Sequence, residues 1–474
     1  MTASLLATLS SLVSLALFLF PAGAQAASFD GATLGLVWAV PFAGMLLSIA
    51  LMPLFAPRLW HHHYGKIALG WAFAFLIPFA LQFGVSAAGT QMAHALLLEY
   101  IPFLILLVTL YTVAGGICFT GNLHGAPLLN TGLLAIGTVL ASVMGTTGAA
   151  MLMVRPVLRA NDNRVHNVHT MVFFIFLIAN AGGALTPLGD PPLFLGFLKG
   201  VTFGWTFSAM LGPTALLCGL LLGIYYLLDR HYYIKAGEER PPQLDPTPDS
   251  APGLIGKANF ALLAAAVGAV LLSGSWQPGV VYEVLGQPLA LQGLVRDGLL
   301  IGITVVSLAI TPAAAHEGNG FNWGPMQEVA KLFLGIFLTI IPVIAMLRAG
   351  ESGAMAAVVR AVTHPDGTAN NVMYFWMTGL LSGFLDNAPT YLVFFNLAGG
   401  DAQALMAHAE TLEAISAGAV FMGALSYIGN APNFMVKAIA ESRGIAMPGF
   451  FGYMAWSVAI LVPLFVVLTL VFFV

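Results

Sequence analysis

Charge is what this chain has least of. Only 8% of its 474 residues are Asp, Glu, Lys or Arg, against roughly 25% in an average soluble domain. Sixteen basic and 20 acidic side chains cannot clothe a soluble surface of this size, so a soluble enzyme and a nucleic-acid binder are excluded together. Cysteine is almost as scarce. Cys118 and Cys218 both lie inside apolar runs, and neither a disulfide framework nor a zinc site follows from them. Catalytic signatures are missing too: there is no His-Glu-x-x-His and no Gly-x-Ser-x-Gly, so an enzyme and a resident cofactor are not expected. What abounds is apolar sequence, 59% of the chain, in runs of about twenty residues, the length that crosses a bilayer core as a helix. The chain reads as an all-α polytopic membrane protein.

Residues 1–27 resemble a signal peptide, with an apolar stretch at Leu12–Phe20 and a small-residue Ala-Gln-Ala end. The segment before that stretch has no Lys or Arg, and an uncleaved extra helix is the alternative. Ten crossings are expected near residues 32–56, 65–87, 97–119, 168–197, 203–229, 258–277, 294–312, 326–348, 411–440 and 450–474. Two further apolar segments, around 128–160 and 371–396, are interrupted by Gly145-Thr146-Thr147-Gly148 and by Asp386-Asn387-Ala388-Pro389-Thr390. Re-entrant hairpins fit them better, because irregular backbone at membrane depth survives only against protein or a wet cavity.

The layout is then symmetric: residues 28–229 hold five crossings and a hairpin, and residues 258–474 hold five more and a second hairpin. The polar stretch Arg230–Lys257 reads as the linker. An odd number of crossings inverts the second half, as in the repeats of secondary transporters. The sequence carries the duplication directly. At an offset of 240 residues (423 minus 183), Gly183–Phe194 aligns with Gly423–Phe434 at six identical positions of twelve, including Gly189/Gly429 and Pro192/Pro432. Chance matches between apolar segments give Leu and Ala, not a shared Gly-[Asp/Asn]-x-Pro.

Basic residues set the orientation. Arg58, Lys66, Arg155, Arg159, Arg164, Arg230, Lys235, Arg240, Lys257 and Arg443 fall on one side; Lys199, Arg296, Arg348 and Arg360 fall on the other. The richer side, with the linker, is expected to be cytoplasmic, which puts the C-terminus outside a bacterial-type inner membrane.

Within the apolar spans, polar side chains gather at four places: the two hairpin tips and two interrupted helices. The tips offer Thr146 and Thr147, then Asp386, Asn387 and Thr390. The interrupted helices offer Asn180, Thr186 and Asp190, then Ser426, Asn430 and Asn433. Acids at bilayer depth are costly and face a cavity or partner. Asp190 and Asp386, flanked by Gly and Pro, are the main candidates. Such an oxygen-rich set suits sodium, held at Asp190, Asp386 and Asn387, and an acid can exchange that cation for protons. Bland readings stand beside this one. Either Asp can be a helix cap, and the hydroxyls can bond their own backbone. His61-His62-His63, between two crossings and beside Trp60 and Tyr64, reads as interfacial, with metal binding the alternative; His166 and His169 read as solvated loop residues, and Glu328 and Lys331 as a self-neutralising pair. Arg155 can snorkel to lipid phosphate or reach an anion, and Lys437 can serve as a counter-ion to an acid.

Asn180-x-Gly182-Gly183-x-x-Thr186-x-x-Gly189-Asp190-Pro191-Pro192 resembles the signature of the ion transporter superfamily. That group includes NhaD-type sodium/proton antiporters, arsenite efflux permeases, the melanosomal P protein and citrate-type carboxylate carriers. Phe384-Leu385-Asp386-Asn387-Ala388-Pro389-Thr390 resembles its second-half signature. Gly145-Thr146-Thr147-Gly148 followed by Arg155-Pro156 is most similar to a bacterial branch described as sodium/proton antiporters or citrate (CitMHS-like) transporters. The resemblance implies scaffold and transport domains, a substrate between the hairpin tips and the unwound helices, and a homodimer. The dicarboxylate carriers use Ser-Asn-Thr at both tips; this chain does not, and an acid at the second tip would repel a carboxylate. Sodium/proton antiport by alternating access is therefore expected. Cation-coupled uptake of citrate or another small organic anion is the alternative.

Overall fold

The structure is a computed structural model describing residues 30–235, 237–238, 247–248 and 250–474. The expected signal segment 1–27 and much of the linker lie outside the described residues. The chain is mostly helical. Nine helices among the described residues are long and apolar enough to cross a membrane, and a tenth is the pair Gly324–Thr339 and Ile341–Arg348, bent by 42°.

Several boundaries differ from the sequence reading. The second helix starts at Pro57 and runs to Phe83, so His61-His62-His63 stands on a helix and not between two crossings. A proline in the first turn is the cause, since its fixed φ suits a helix start and it has no N–H to satisfy. Helix Phe203–Lys235 runs six residues into the stretch read as linker. At the linker's far end, Gly253–Ile255 pairs antiparallel with Cys118–Thr120. Pro127–Met144, expected as one arm of a hairpin, also meets the standard for a full span by length and apolarity.

The described residues form two compact units, each drawing on both halves of the chain. The smaller comprises the segments up to Leu104, Trp276–Val295 and Gly324–Val359. Aromatic packing holds it: Phe75 and Phe79 are fully buried and meet the Trp38 ring edge-on, at 6.4 and 5.9 Å. Phe103 stacks on Phe333 at 4.8 Å, and the Tyr100 hydroxyl donates to the Ala330 carbonyl at 2.8 Å. Glu328 and Lys331 have different neighbours. Glu328 hydrogen-bonds Trp60, and the Lys331 ammonium lies 5.1 Å over the Tyr64 ring.

The larger unit comprises Ile105–Ser275, Arg296–Trp323 and Arg360–Val474. It contains two closely packed helix pairs, Pro127–Met144 with Thr146–Ala160 and Asn371–Phe384 with Asn387–Leu397. Two interrupted helices belong to it as well. Val168–Leu177 gives way to irregular chain before Pro191–Leu198, and Ala409–Met422 does the same before Ala431–Ser442. Gly145 breaks the first pair at φ 81°, a conformation that strains any residue with a Cβ.

One end of this unit is tied by a buried ionic network. Arg164 donates to Asp229 at 3.0 Å and to Glu238 at 2.8 Å. His169 meets Asp229 at 2.7 Å, and Asn130 donates to it at 3.2 Å. His169 is thus buried, contrary to the solvated reading. Its helix turns it toward Asp229, an acid in the Phe203–Lys235 helix that must find partners once desolvated.

Candidate functional site

Asp190 belongs to the larger unit and is 2% exposed. It is the N-cap position of Pro191–Leu198, yet its side chain makes no capping bond. Both oxygens are engaged elsewhere. Oδ1 accepts from the Thr146 hydroxyl at 2.9 Å and from Asn430 Nδ2 at 3.1 Å; Oδ2 accepts from Asn387 Nδ2 at 2.5 Å. Both helix pairs and both interrupted helices therefore meet on one carboxylate, although the residues involved are far apart in sequence. Asp190 and Asn430, which the 240-residue offset matches, bond each other directly.

These four residues sit at the starts of four different helices. Thr146 and Asn387 open theirs; Asp190 and Asn430 are N-cap positions. The geometry follows from sequence: Gly145 ends one helix and lets the next begin, and the Pro residues after Asp190 and Asn430 favour the starts of the helices that follow them. Each start carries a partial positive charge, so together they suit one buried carboxylate with no basic partner.

A second layer lies beside it. Asn180 Nδ2 donates to the Ile175 carbonyl at 2.8 Å and to Asn433 Oδ1 at 2.7 Å. Asn433 Nδ2 donates to the carbonyls of Gly423 and Ser426, each at 2.9 Å. Two amide oxygens, Asn180 Oδ1 and Asn387 Oδ1, are buried and accept nothing among the described residues. A Cβ placed on Gly423 would stand 3.0 Å from Asn180 Oδ1, 3.3 Å from the Gly429 carbonyl and 3.6 Å from Asn387 Nδ2. The absent side chain at Gly423 is thus what lets these amides and this carbonyl face one small space. Unpaired buried acceptors cost free energy unless a cation or donor meets them.

The remaining expected residues hold backbone. Thr186 Oγ1 donates to the Ser142 carbonyl at 2.5 Å and accepts from the Leu188 amide at 3.1 Å. Ser426 does the same in the other half, with the Gly383 carbonyl at 2.5 Å and the Ile428 amide at 3.1 Å. Thr390 bonds the Asp386 carbonyl within its own helix at 3.0 Å. Asp386 is an N-cap, accepting from the Ala388 amide at 3.0 Å, and stands within electrostatic reach of Asp190 without touching it. Thr147 is half-buried, one residue beyond the contact that Thr146 makes. Lys437 is no counter-ion to this site: it pairs with Glu441 one turn along its helix, at 2.6 Å.

Sequence reading passed over Ser142 and Ser382. The Ser142 hydroxyl donates to the Gly182 carbonyl in the break of the first interrupted helix, and the Ser382 hydroxyl donates at 2.6 Å to the Ala419 carbonyl in the last turn before the break of the second. The signal was available, because the two serines are 240 residues apart (382 minus 142). Gly189 and Gly429 are matched in the same way. A Cβ at either would collide with the carbonyl of Gly183 or Gly423, so both breaks need glycine for the same close approach.

A family profile described as "Putative citrate transport" matches residues 31–473. Among curated proteins, the chain is similar to the "Uncharacterized transporter Mb2703" of Mycobacterium bovis and the "Uncharacterized transporter Rv2684" of Mycobacterium tuberculosis. Each is 24% identical over 333 residues, which is 68% of this chain and 71% of the relative.

Proposed function

We propose that this chain, which belongs to the citrate-transport family, is a secondary transporter that works by alternating access and exchanges sodium for protons at Asp190. The observation that carries this reading is the single buried carboxylate on which four helix starts converge. Ionised, Asp190 accepts three hydrogen bonds and ties both tips together. Protonated, it can donate one bond but must surrender part of that set, so the proton and the packing of the tips are coupled. Sodium is the competing ligand. An Asp190 oxygen, the unpaired Asn180 and Asn387 oxygens and the Gly429 carbonyl are hard donors of the kind it takes. Thr146 and Asn430 orient the carboxylate, and Thr186, Ser426 and Asn433 brace the broken backbone.

The two interrupted helix pairs act in this reading as re-entrant hairpins of two inverted repeats, residues 28–229 and 258–474. The bonds that the Leu188 and Ile428 amides donate to the Thr186 and Ser426 hydroxyls, matched at the same offset, support the duplication. Orientation gives one prediction. Cysteines placed at Lys257 and Val474 should label from opposite faces of sealed membranes, Lys257 from the cytoplasmic face. Labelling of both from one side would break the odd-crossing repeat.

Asp386 gives another. It caps its helix through an acceptor oxygen that Asn also offers, and Asn caps about as well as Asp. Asp386→Asn should therefore keep the protein folded and still exchanging, with weaker sodium dependence because one nearby negative charge is lost. Complete loss of exchange in this variant would make Asp386 a direct ligand.

One observation favours a second reading, cation-coupled uptake of citrate. Four helix starts at one point also suit a substrate carboxylate, in line with the family's description. Reconstituted liposomes separate the two. Sodium-driven proton movement without citrate supports antiport; labelled citrate accumulation with no sodium-driven proton flux overturns it. The assembly expected in either case is a homodimer in a bacterial-type inner membrane.

A further inference from the structure

A basic cluster lies well away from Asp190, along the Thr146–Ala160 helix of the larger unit. Arg155 and Arg159 are four residues apart on that helix and share a face. At 1.5 Å per residue, Arg155 stands about 14 Å from the tip at Thr146. Arg443, the exposed residue that ends Ala431–Ser442, is within electrostatic reach of both. Among the described residues, the titratable groups whose charge bears on Arg155 are Arg443, Arg159, Tyr111 and Cys118, and none of them is a carboxylate. Its Nη1 is buried and donates to nothing among the described residues. The guanidinium lies against Gly320, at φ 57°, where any Cβ would strike Nη2. Arg159 is anchored by a 2.7 Å bond from Nη2 to the Phe119 carbonyl, with Asp162 as its acidic neighbour. Glu441, close to Arg443 in sequence, is already paired with Lys437.

Three guanidinium groups within electrostatic reach of one another, one with an idle buried donor, repel each other and leave a desolvated N–H unsatisfied. A carboxylate or phosphate group removes both costs at once, because its paired oxygens match the guanidinium fork. We propose that Arg155, Arg159 and Arg443 form a second binding site, separate from Asp190, for a small multiply charged oxyanion. The anion reaches it either free in water or as the phosphate of an anionic lipid. The inference does not depend on which ion Asp190 carries.

The test uses the full chain in phosphatidylcholine nanodiscs, titrated with inorganic phosphate and with citrate at constant ionic strength while thermal unfolding is followed. Saturable stabilisation is expected in the parent protein and in Asp190→Asn alike. Arg155→Gln and Arg443→Gln should weaken it by about tenfold or more, the usual loss for one charged hydrogen bond. Arg443 is exposed, so its variant keeps the test alive if Arg155→Gln does not fold. The lipid source gives a different pattern: phosphatidylglycerol discs then stabilise the parent but not the Arg variants, and soluble anions add nothing. Equal responses of parent and Arg variants in both kinds of disc would overturn the site. So would loss of anion binding in Asp190→Asn alone.

Discussion

Replacing Asp190 with Asn should bring sodium-driven proton movement in liposomes down to the level of protein-free vesicles. The substitution preserves size, and the matched position already holds Asn430, so the backbone accepts it. Charge and hydrogen-bond polarity are what change. The carboxylate accepts from Thr146, Asn387 and Asn430, whereas an amide has one acceptor oxygen and a nitrogen that can only donate. One amide donor would then face another, at a cost of about 1–3 kcal/mol for the spoiled buried bond. That cost weakens the packing of the tips without unfolding the chain. Transport is lost for a separate reason: with no group to titrate, there is no site for which sodium and protons compete. In the parent protein the same competition makes exchange rise with pH, since fewer protons contest the carboxylate. Full exchange by Asp190→Asn, measured with a pH-sensitive dye and an imposed sodium gradient, would remove Asp190 from the mechanism.

The site could be assembled from sequence because its parts were marked twice. Gly189-Asp190-x-Pro192 and Gly429-Asn430-x-Pro432 share an offset, and both break a helix where an oxygen-bearing side chain must sit. Apolar run length gave the candidate spans in the same way. Other features left no such mark. A hydroxyl reads the same in sequence whether it faces an ion or staples a carbonyl, so Thr186, Ser426 and Thr390 were indistinguishable from Thr146. His169 and Lys437 depended on a distant or neighbouring acid, Asp229 and Glu441, whose side chains only the fold brings to them. The make-up of the two compact units left no mark in run length or composition, because each is stitched from both halves of the chain.

Asp229→Ala should cost the most stability of any single change outside the site, about 3–5 kcal/mol, the range for removing one partner of a buried ion pair. The Arg164 and Asp229 side chains are 1% and 0% exposed. The Arg164 guanidinium, in the loop beyond the first helix pair, works against its own desolvation. The bonds to Asp229 and Glu238 more than offset that burial and hold its pKa above the ordinary value. Without Asp229 the guanidinium keeps Glu238 and a long 3.4 Å bond to Asn161 Oδ1, while His169 and Asn130 lose an acceptor in the same step. Asp229→Asn retains a carbonyl for one of these donors and should fall between the parent and the alanine variant. Exchanging both partners for apolar residues often rescues a buried pair, but here Arg164→Met with Asp229→Leu leaves the buried Glu238 with the His166 amide and without its cation, so the double variant should remain destabilised. Thermal unfolding in detergent, followed by the loss of monodisperse protein, gives the order. A double variant as stable as the parent would mean that Glu238 finds water, and that the network is worth no more than a surface pair.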